Sequence, residues 1–188
     1  VLNSGGANAC TGAAGFGDTH QTAEHAAAQL GLAPIDVAVC STGLIGVRLP
    51  MAKLLGGVDL AVSELSANGG HTAAEAIMTT DSVPKVAAHG ADGWAIGGMA
   101  KGAGMLAPGL ATMLVTITTD AVVSAEMLQS ALQTSVEYSF NRIDSDGCMS
   151  TNDTVLLLAN GASGIKPSAS EFTVALQSVC RSLARQLI

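Results

Sequence analysis

Small hydroxyl residues and glycines concentrate in three short stretches: NSGGANACTG at 3–12, CSTGLIG at 40–46 and DGCMSTND at 146–153. Side-chain hydroxyls can attack or polarise a carbonyl, and glycines let backbone N–H groups approach a bound ligand. Together the three could wall one polar pocket, although each alone also suits ordinary turn formation. A fourth stretch, KGAGMLAPGLATMLVTITTD at 101–120, runs from a lysine through Pro108 and Gly109 into Thr112, where an apolar run begins. A threonine at a strand start fits the pleat simply because it is β-branched. It can also serve as a nucleophile when a base lies within hydrogen-bond reach. Its own α-amine is such a base once the Ala111–Thr112 bond is cut. Composition leaves both readings of Thr112 open.

Other chemistries lack support. The pattern GxxxxGK[ST] is absent, and no GxGxxG follows a strand, so GMAKGAGM at 98–105 is a poor phosphate cradle. Cys10, Cys40, Cys148 and Cys180 form no CxxC pair and are expected as buried, reduced thiols. His20, His25, His71 and His89 include no HExxH pair, so no metal site is expected. The formal net charge of −7, with eight Lys and Arg scattered along the chain, leaves no basic face for nucleic acid. No apolar run reaches the ~20 residues of a membrane span, and the expected setting is the cytoplasm.

The elements that must position these residues follow from pattern. With 48% hydrophobic, 12% charged and only 3% aromatic residues, the core of this 188-residue chain must be built mainly from Ala, Val, Leu, Ile and Met. The first residues read as a strand into the NSGG turn. Residues 18–30 form a helix with Asp18 as N-cap and Gly31 beyond its end. Residues 37–40 make a short buried strand that delivers Thr42 and Gly43 to a loop. Helices are expected after Pro50 and over HTAAEAIMTTD at 71–81, and a hairpin around HGADG at 89–93. A strand follows Thr112, then a helix over 124–143, a strand over 154–161 and a last helix from Ser170. Strands and helices mix without a regular βαβ period. The ends, an apolar opening without Met and a helical pattern that stops uncapped, suggest the middle of a longer chain.

Five motifs in order, NSGGANACTG, CSTGLIG, IMTTD at 77–81, GGMAKGAGMLAPGLATML at 97–114 and DGCMSTNDTVLLLANG at 146–161, resemble those of the ornithine acetyltransferases. These are the self-cleaving, bifunctional glutamate N-acetyltransferases of arginine biosynthesis. The resemblance runs from Val1 to about Gly161 and more loosely to the end.

The resemblance implies an α+β fold, a layered α/β/β/α sandwich with mixed sheets. It makes 1–188 one catalytic-core region, with 1–111 from the first subunit and 112–188 from the second. It implies cleavage between Ala111 and Thr112, with Thr112 as the acetyl-carrying nucleophile. Thr42, through its hydroxyl, and Gly43, through its N–H, are implied as the oxyanion hole. Thr79 and Lys101 are implied in substrate binding beside Thr112, and Asn3, Asn8 and Asn152 as pocket walls. The implied substrates are N-acetylornithine, glutamate and, in some members, acetyl-CoA; the implied assembly is α2β2. A self-cleaving aminopeptidase of the related fold is the alternative.

Overall fold

The computed structural model describes residues 1–107, 110, 111 and 113–188. They fall into two compact units, Val1–Thr79 and Thr80–Ile188.

The first unit holds two strands, β1 (Leu2–Gly6) and β2 (Cys40–Leu44), and three helices, α1 (Gly12–Leu30), α2 (Met51–Ser63) and α3 (Gly70–Ala76). The strands are parallel, with Ser4 opposite Thr42 and Gly5 opposite Gly43, and α1 makes the crossover between them. Thr22, Ala26 and Ala27 are buried along α1, which packs against α2. Gly31 ends α1 in the left-handed conformation, φ 68°, as the sequence indicates.

The start of α1 differs from expectation. The helix begins six residues before Asp18, so Asp18 caps nothing. It is buried in the second turn and accepts two hydrogen bonds from Arg48, at 3.0 Å from Nε and 2.6 Å from Nη2. A carboxylate that reads locally as a cap is held instead by a guanidinium thirty residues away. The second strand also differs: residues 37–39 lie outside it, and it runs through Ser41, Thr42 and Gly43 rather than ending before them.

The second unit is a four-stranded mixed sheet in the order β3 (Lys85–Gly90), β4 (Ala95–Lys101), β7 (Leu114–Thr119), β8 (Thr154–Ala159). The antiparallel hairpin β3–β4 is the one expected around HGADG, while β7 and β8 are parallel, joined through α4 (Ala125–Glu137). Two short strands, β5 (Leu106–Ala107) and β6 (Leu110–Ala111), pair antiparallel, Leu106 with Ala111. Helices α4 and α5 (Ala169–Gln186) pack on each other and on the sheet. Met113, just ahead of β7, and the alternate β7 residues Val115 and Ile117 enter a core with Phe140 and the α5 stripe Phe172, Leu176, Val179, Cys180 and Leu183. That stripe has the 3–4-residue spacing of a helix face against a sheet. Ser168 and Glu171 close a reciprocal capping box at the start of α5, with Glu171 N–H to Ser168 Oγ at 3.2 Å and Ser168 N–H to Glu171 Oε2 at 2.9 Å.

Of the four cysteines Cys40 and Cys180 are buried, and burial pushes the Cys180 thiol up to about 12. Cys10 and Cys148 are exposed, against the expectation of four buried thiols, because they lie in the polar connections before α1 and before β8.

Candidate functional site

In the first unit the polar stretch NSGGANACTG is the strand β1 and its exit rather than one open loop. Ser41 Oγ donates to Asn3 Oδ1 at 2.7 Å, and Asn3 Nδ2 donates to the Gly6 carbonyl at 3.0 Å. Asn8, at φ 50°, donates through Nδ2 to the Gly15 carbonyl and to Thr19 Oγ1, both at 2.9 Å, and accepts from Thr11 Oγ1 at 2.8 Å. Its side chain is thus spent on the first turns of α1. Asn3 also lines a cavity of about 590 Å³ with Gly5, Gly6, Leu49 and Leu54 among its walls.

Thr42 is 2% exposed in the middle of β2, and Gly43 follows at φ 129°. A Cβ on Gly43 would lie 2.5 Å from the Gly5 carbonyl carbon and 2.8 Å from Gly6 N. Only glycine allows β1 and β2 to approach this closely. What sets this pair in place is therefore the strand pairing itself, not the loop that the local sequence suggests. Thr79, the last residue of this unit, is exposed in the bend after α3.

The second unit holds Lys101 at the end of β4, 1% exposed and opposite Leu114 at the start of β7. Asp81 and Lys85 lie buried with it. Asp81 Oδ1 accepts from Lys85 Nζ at 2.6 Å and from the Gly102 N–H at 2.7 Å. Asp153 Oδ1 accepts the Met113 N–H at 3.0 Å, while the Thr154 N–H donates to the Met113 carbonyl, also at 3.0 Å. Burial lowers the pKa of Lys101; the negative charges of Asp81 and Asp153 work against that shift, and Lys85 adds to it. Burial raises the pKa of Asp153, opposed by its hydrogen bonds to Met113 N–H and Ser150 and by the charge of Lys101. The negative charges of Asp81 and Asp153 thus offset part of the cost of burying the Lys101 ammonium.

Thr112, the expected nucleophile and cleavage residue, lies outside the described residues, as do Pro108 and Gly109 ahead of it. Ala111 is described only through its backbone pairing with Leu106. Asn152 is half-buried, its N–H on Ser150 Oγ at 3.3 Å and its Oδ1 accepting from Thr151. Among the described residues no group of three or more His, Cys, Asp or Glu is placed to hold a metal. Nor is any helix among them long and apolar enough to cross a membrane.

Sequence reading missed Asp81, Lys85 and Asp153. Asp81 and Asp153 close two of the quoted motifs, IMTTD and DGCMSTND, so the signal was present; the backbone N–H groups they accept from, Gly102 and Met113, are 21 and 40 residues away and invisible locally. Lys85 follows Pro84 without any motif.

All of residues 1–188 match the ArgJ family. The chain belongs to that family. It is 62% identical over 188 residues to arginine biosynthesis bifunctional protein ArgJ 1 of Streptomyces clavuligerus, covering 100% of this chain and 49% of that protein. The ArgJ protein of Thermobifida fusca is 60% identical over 188 residues, again 100% of this chain and 49% of that protein. The chain thus spans about half the length of the curated ArgJ relatives it matches. The crystal structure of ornithine acetyltransferase complexed with ornithine from Mycobacterium tuberculosis is 64% identical, with TM-score 0.56, over 57% of this chain and 60% of that one. The ArgJ structure from Bacillus halodurans is 36% identical, with TM-score 0.50, over 60% of each chain. The α+β fold with mixed sheets is the ArgJ fold, as the five ordered motifs indicate.

Proposed function

We propose that this chain is the catalytic-core part of a bifunctional ArgJ enzyme that moves an acetyl group from N-acetylornithine to glutamate. In this reading it can also draw on acetyl-CoA to make N-acetylglutamate. The observation that carries the reading is the 62% identity to a bifunctional ArgJ protein across the whole chain. The ornithine held by the Mycobacterium tuberculosis enzyme supports the substrate class, and the family match favours transfer over the hydrolysis of the self-cleaving aminopeptidases.

The precursor is cut between Ala111 and Thr112, leaving residues 1–111 in one subunit and 112–188 in the other. The freed α-amine of Thr112 takes the proton from its own hydroxyl as the oxygen attacks the acetyl carbonyl. The Thr42 hydroxyl and Gly43 N–H stabilise the oxyanion. Ornithine leaves with that proton on its amine, and the amine of glutamate then attacks the acetyl-threonine ester, restoring the hydroxyl. Lys101 holds a substrate carboxylate, a role supported by its buried setting, and Thr79 binds alongside. The working assembly is α2β2 in the cytoplasm, with no prosthetic group.

The test uses the full-length protein. Intact mass should show two subunits divided at Ala111/Thr112, and Thr112→Ala should leave a single uncut chain. Mature enzyme given N-acetylornithine without glutamate should carry one acetyl group on the peptide that begins at Thr112, and added glutamate should remove it. Efficient cleavage of the Thr112→Ala protein, or acetylation at Lys101 or a cysteine instead, would refute the reading.

A further inference from the structure

We propose that Asp153 is a positioning residue for the proposed nucleophile: its carboxylate holds the N–H of Met113, the residue that follows Thr112 in the sequence. The proposal rests on the reading of Thr112 as nucleophile and cleavage residue. Met113 is the residue directly after Thr112, and it is gripped from both sides. Its N–H goes to the Asp153 carboxylate at 3.0 Å, and its carbonyl accepts the Thr154 N–H at 3.0 Å. The partners are consecutive, Asp153 just ahead of β8 and Thr154 its first residue, where the parallel register with β7 begins at Leu114 opposite Thr154. The side chain of Met113 is buried in the helix-covered core, which removes the remaining freedom of this residue.

The carboxylate supplies what the sheet does not. In the ladder β7 starts at Leu114, so the Met113 N–H lies one residue ahead of the regular pairing. Without Asp153 that donor would lose its partner in a half-buried setting. Asp81 plays the matching part on the neighbouring strand, where its Oδ1 takes the N–H of Gly102, the residue directly after Lys101. Each carboxylate, Asp81 buried and Asp153 half-buried, thus clamps the chain one residue beyond a residue implied in the chemistry. Groups facing Lys101 are Asp81, Lys85 and Asp153, so the charge of Asp153 also bears on Lys101, separately from the clamp.

Clamp and charge can be separated by substitution in the full-length protein. Asp153→Asn keeps an acceptor oxygen where the carboxylate has one and removes the charge. Asp153→Glu keeps the charge and moves the oxygen by one methylene. Asp153→Ala removes both. A misplacement of about 1 Å near the reacting atoms can cost about 10²-fold in rate. The Ala and Glu variants should therefore cut at Ala111/Thr112 at least about tenfold more slowly and lose a similar factor in kcat. The Asn variant should lose less than about threefold in both and show its main defect as a raised KM, growing as pH rises and Lys101 loses its proton. Rescue by Asn but not by Glu is what a general loss of folding would not produce, and melting curves of the three variants provide the check. If Glu restores cleavage and Asn does not, charge rather than position is at work and the proposal is overturned. It is equally overturned if Asp153→Ala, folded by its melting curve, cuts at the wild-type rate. Failure of the wild-type precursor to cut would instead refute the reading of Thr112.

Discussion

Gly43→Ala is the sharpest probe of how β1 and β2 build the proposed oxyanion site. Two costs act on it. A non-glycine residue held at φ 129° carries about 1–3 kcal/mol of backbone strain. The new Cβ would also sit 2.5, 2.7 and 2.8 Å from the Gly5 carbonyl carbon, the Gly5 oxygen and Gly6 N, all backbone atoms that no rotamer change can move. Forcing such an overlap costs about another 1–3 kcal/mol as the strands separate. Gly46→Ala is the control: it too has a positive φ, 79°, but its Cβ would meet nothing within 4 Å, so only about 1–2 kcal/mol of conformational cost remains. At ~2–4 °C per kcal/mol for a domain of this size, mid-range values give a drop in Tm of about 12 °C for Gly43→Ala and about 4 °C for Gly46→Ala. The assay is thermal unfolding of both variants in the full-length protein, followed by circular dichroism, with turnover measured below the transition. Gly43→Ala keeps its N–H, so any loss of turnover there reports displacement of the donor. Equal melting shifts for the two variants would refute the close-approach argument.

Other consequences can be checked in the same background. Thr42→Val keeps the branched, buried shape in β2 but removes the hydroxyl, so turnover should fall about 10²–10³-fold while Thr42→Ser retains most of it; a fully active Val variant would make Thr42 a packing residue only. The two hydrogen bonds from Arg48 hold the Asp18 carboxyl below the usual carboxylate range, against the opposing effect of burial. With a depressed folded-state pKa, the pair stabilises above the unfolded value of about 4 and loses that contribution as pH falls through the lower folded value. The stability gap between wild type and Arg48→Met should therefore be widest near neutrality and shrink below about pH 4. A gap independent of pH would remove the pair from the account.

How far the sequence reaches depends on the range over which each feature is decided. Gly31 ends α1 because a left-handed residue is needed there, and HGADG turns a hairpin; both are settled within a few residues. The helical stripe of α5 and the mainly aliphatic core are likewise local or compositional facts. The quoted motifs carried the family and marked Thr42, Gly43, Thr79 and Lys101. What the sequence could not show is which distant group each polar residue meets. Asp18 has the look of a cap and is buried against Arg48, because α1 begins earlier and brings the carboxylate under a side chain from beyond β2. Thr42 and Gly43 read as loop residues, yet pairing with β1 draws them into a strand where Gly5 leaves no room for a Cβ. Nothing in the residues around Lys101 shows that it is buried, and its burial beside Asp81 and Lys85, with the half-buried Asp153 acting on its charge, exists only once β4, β7 and β8 lie side by side. A residue's type and its neighbours in the chain fix what it can do, but burial and charge balance arise between segments tens of residues apart, and only the folded chain decides them.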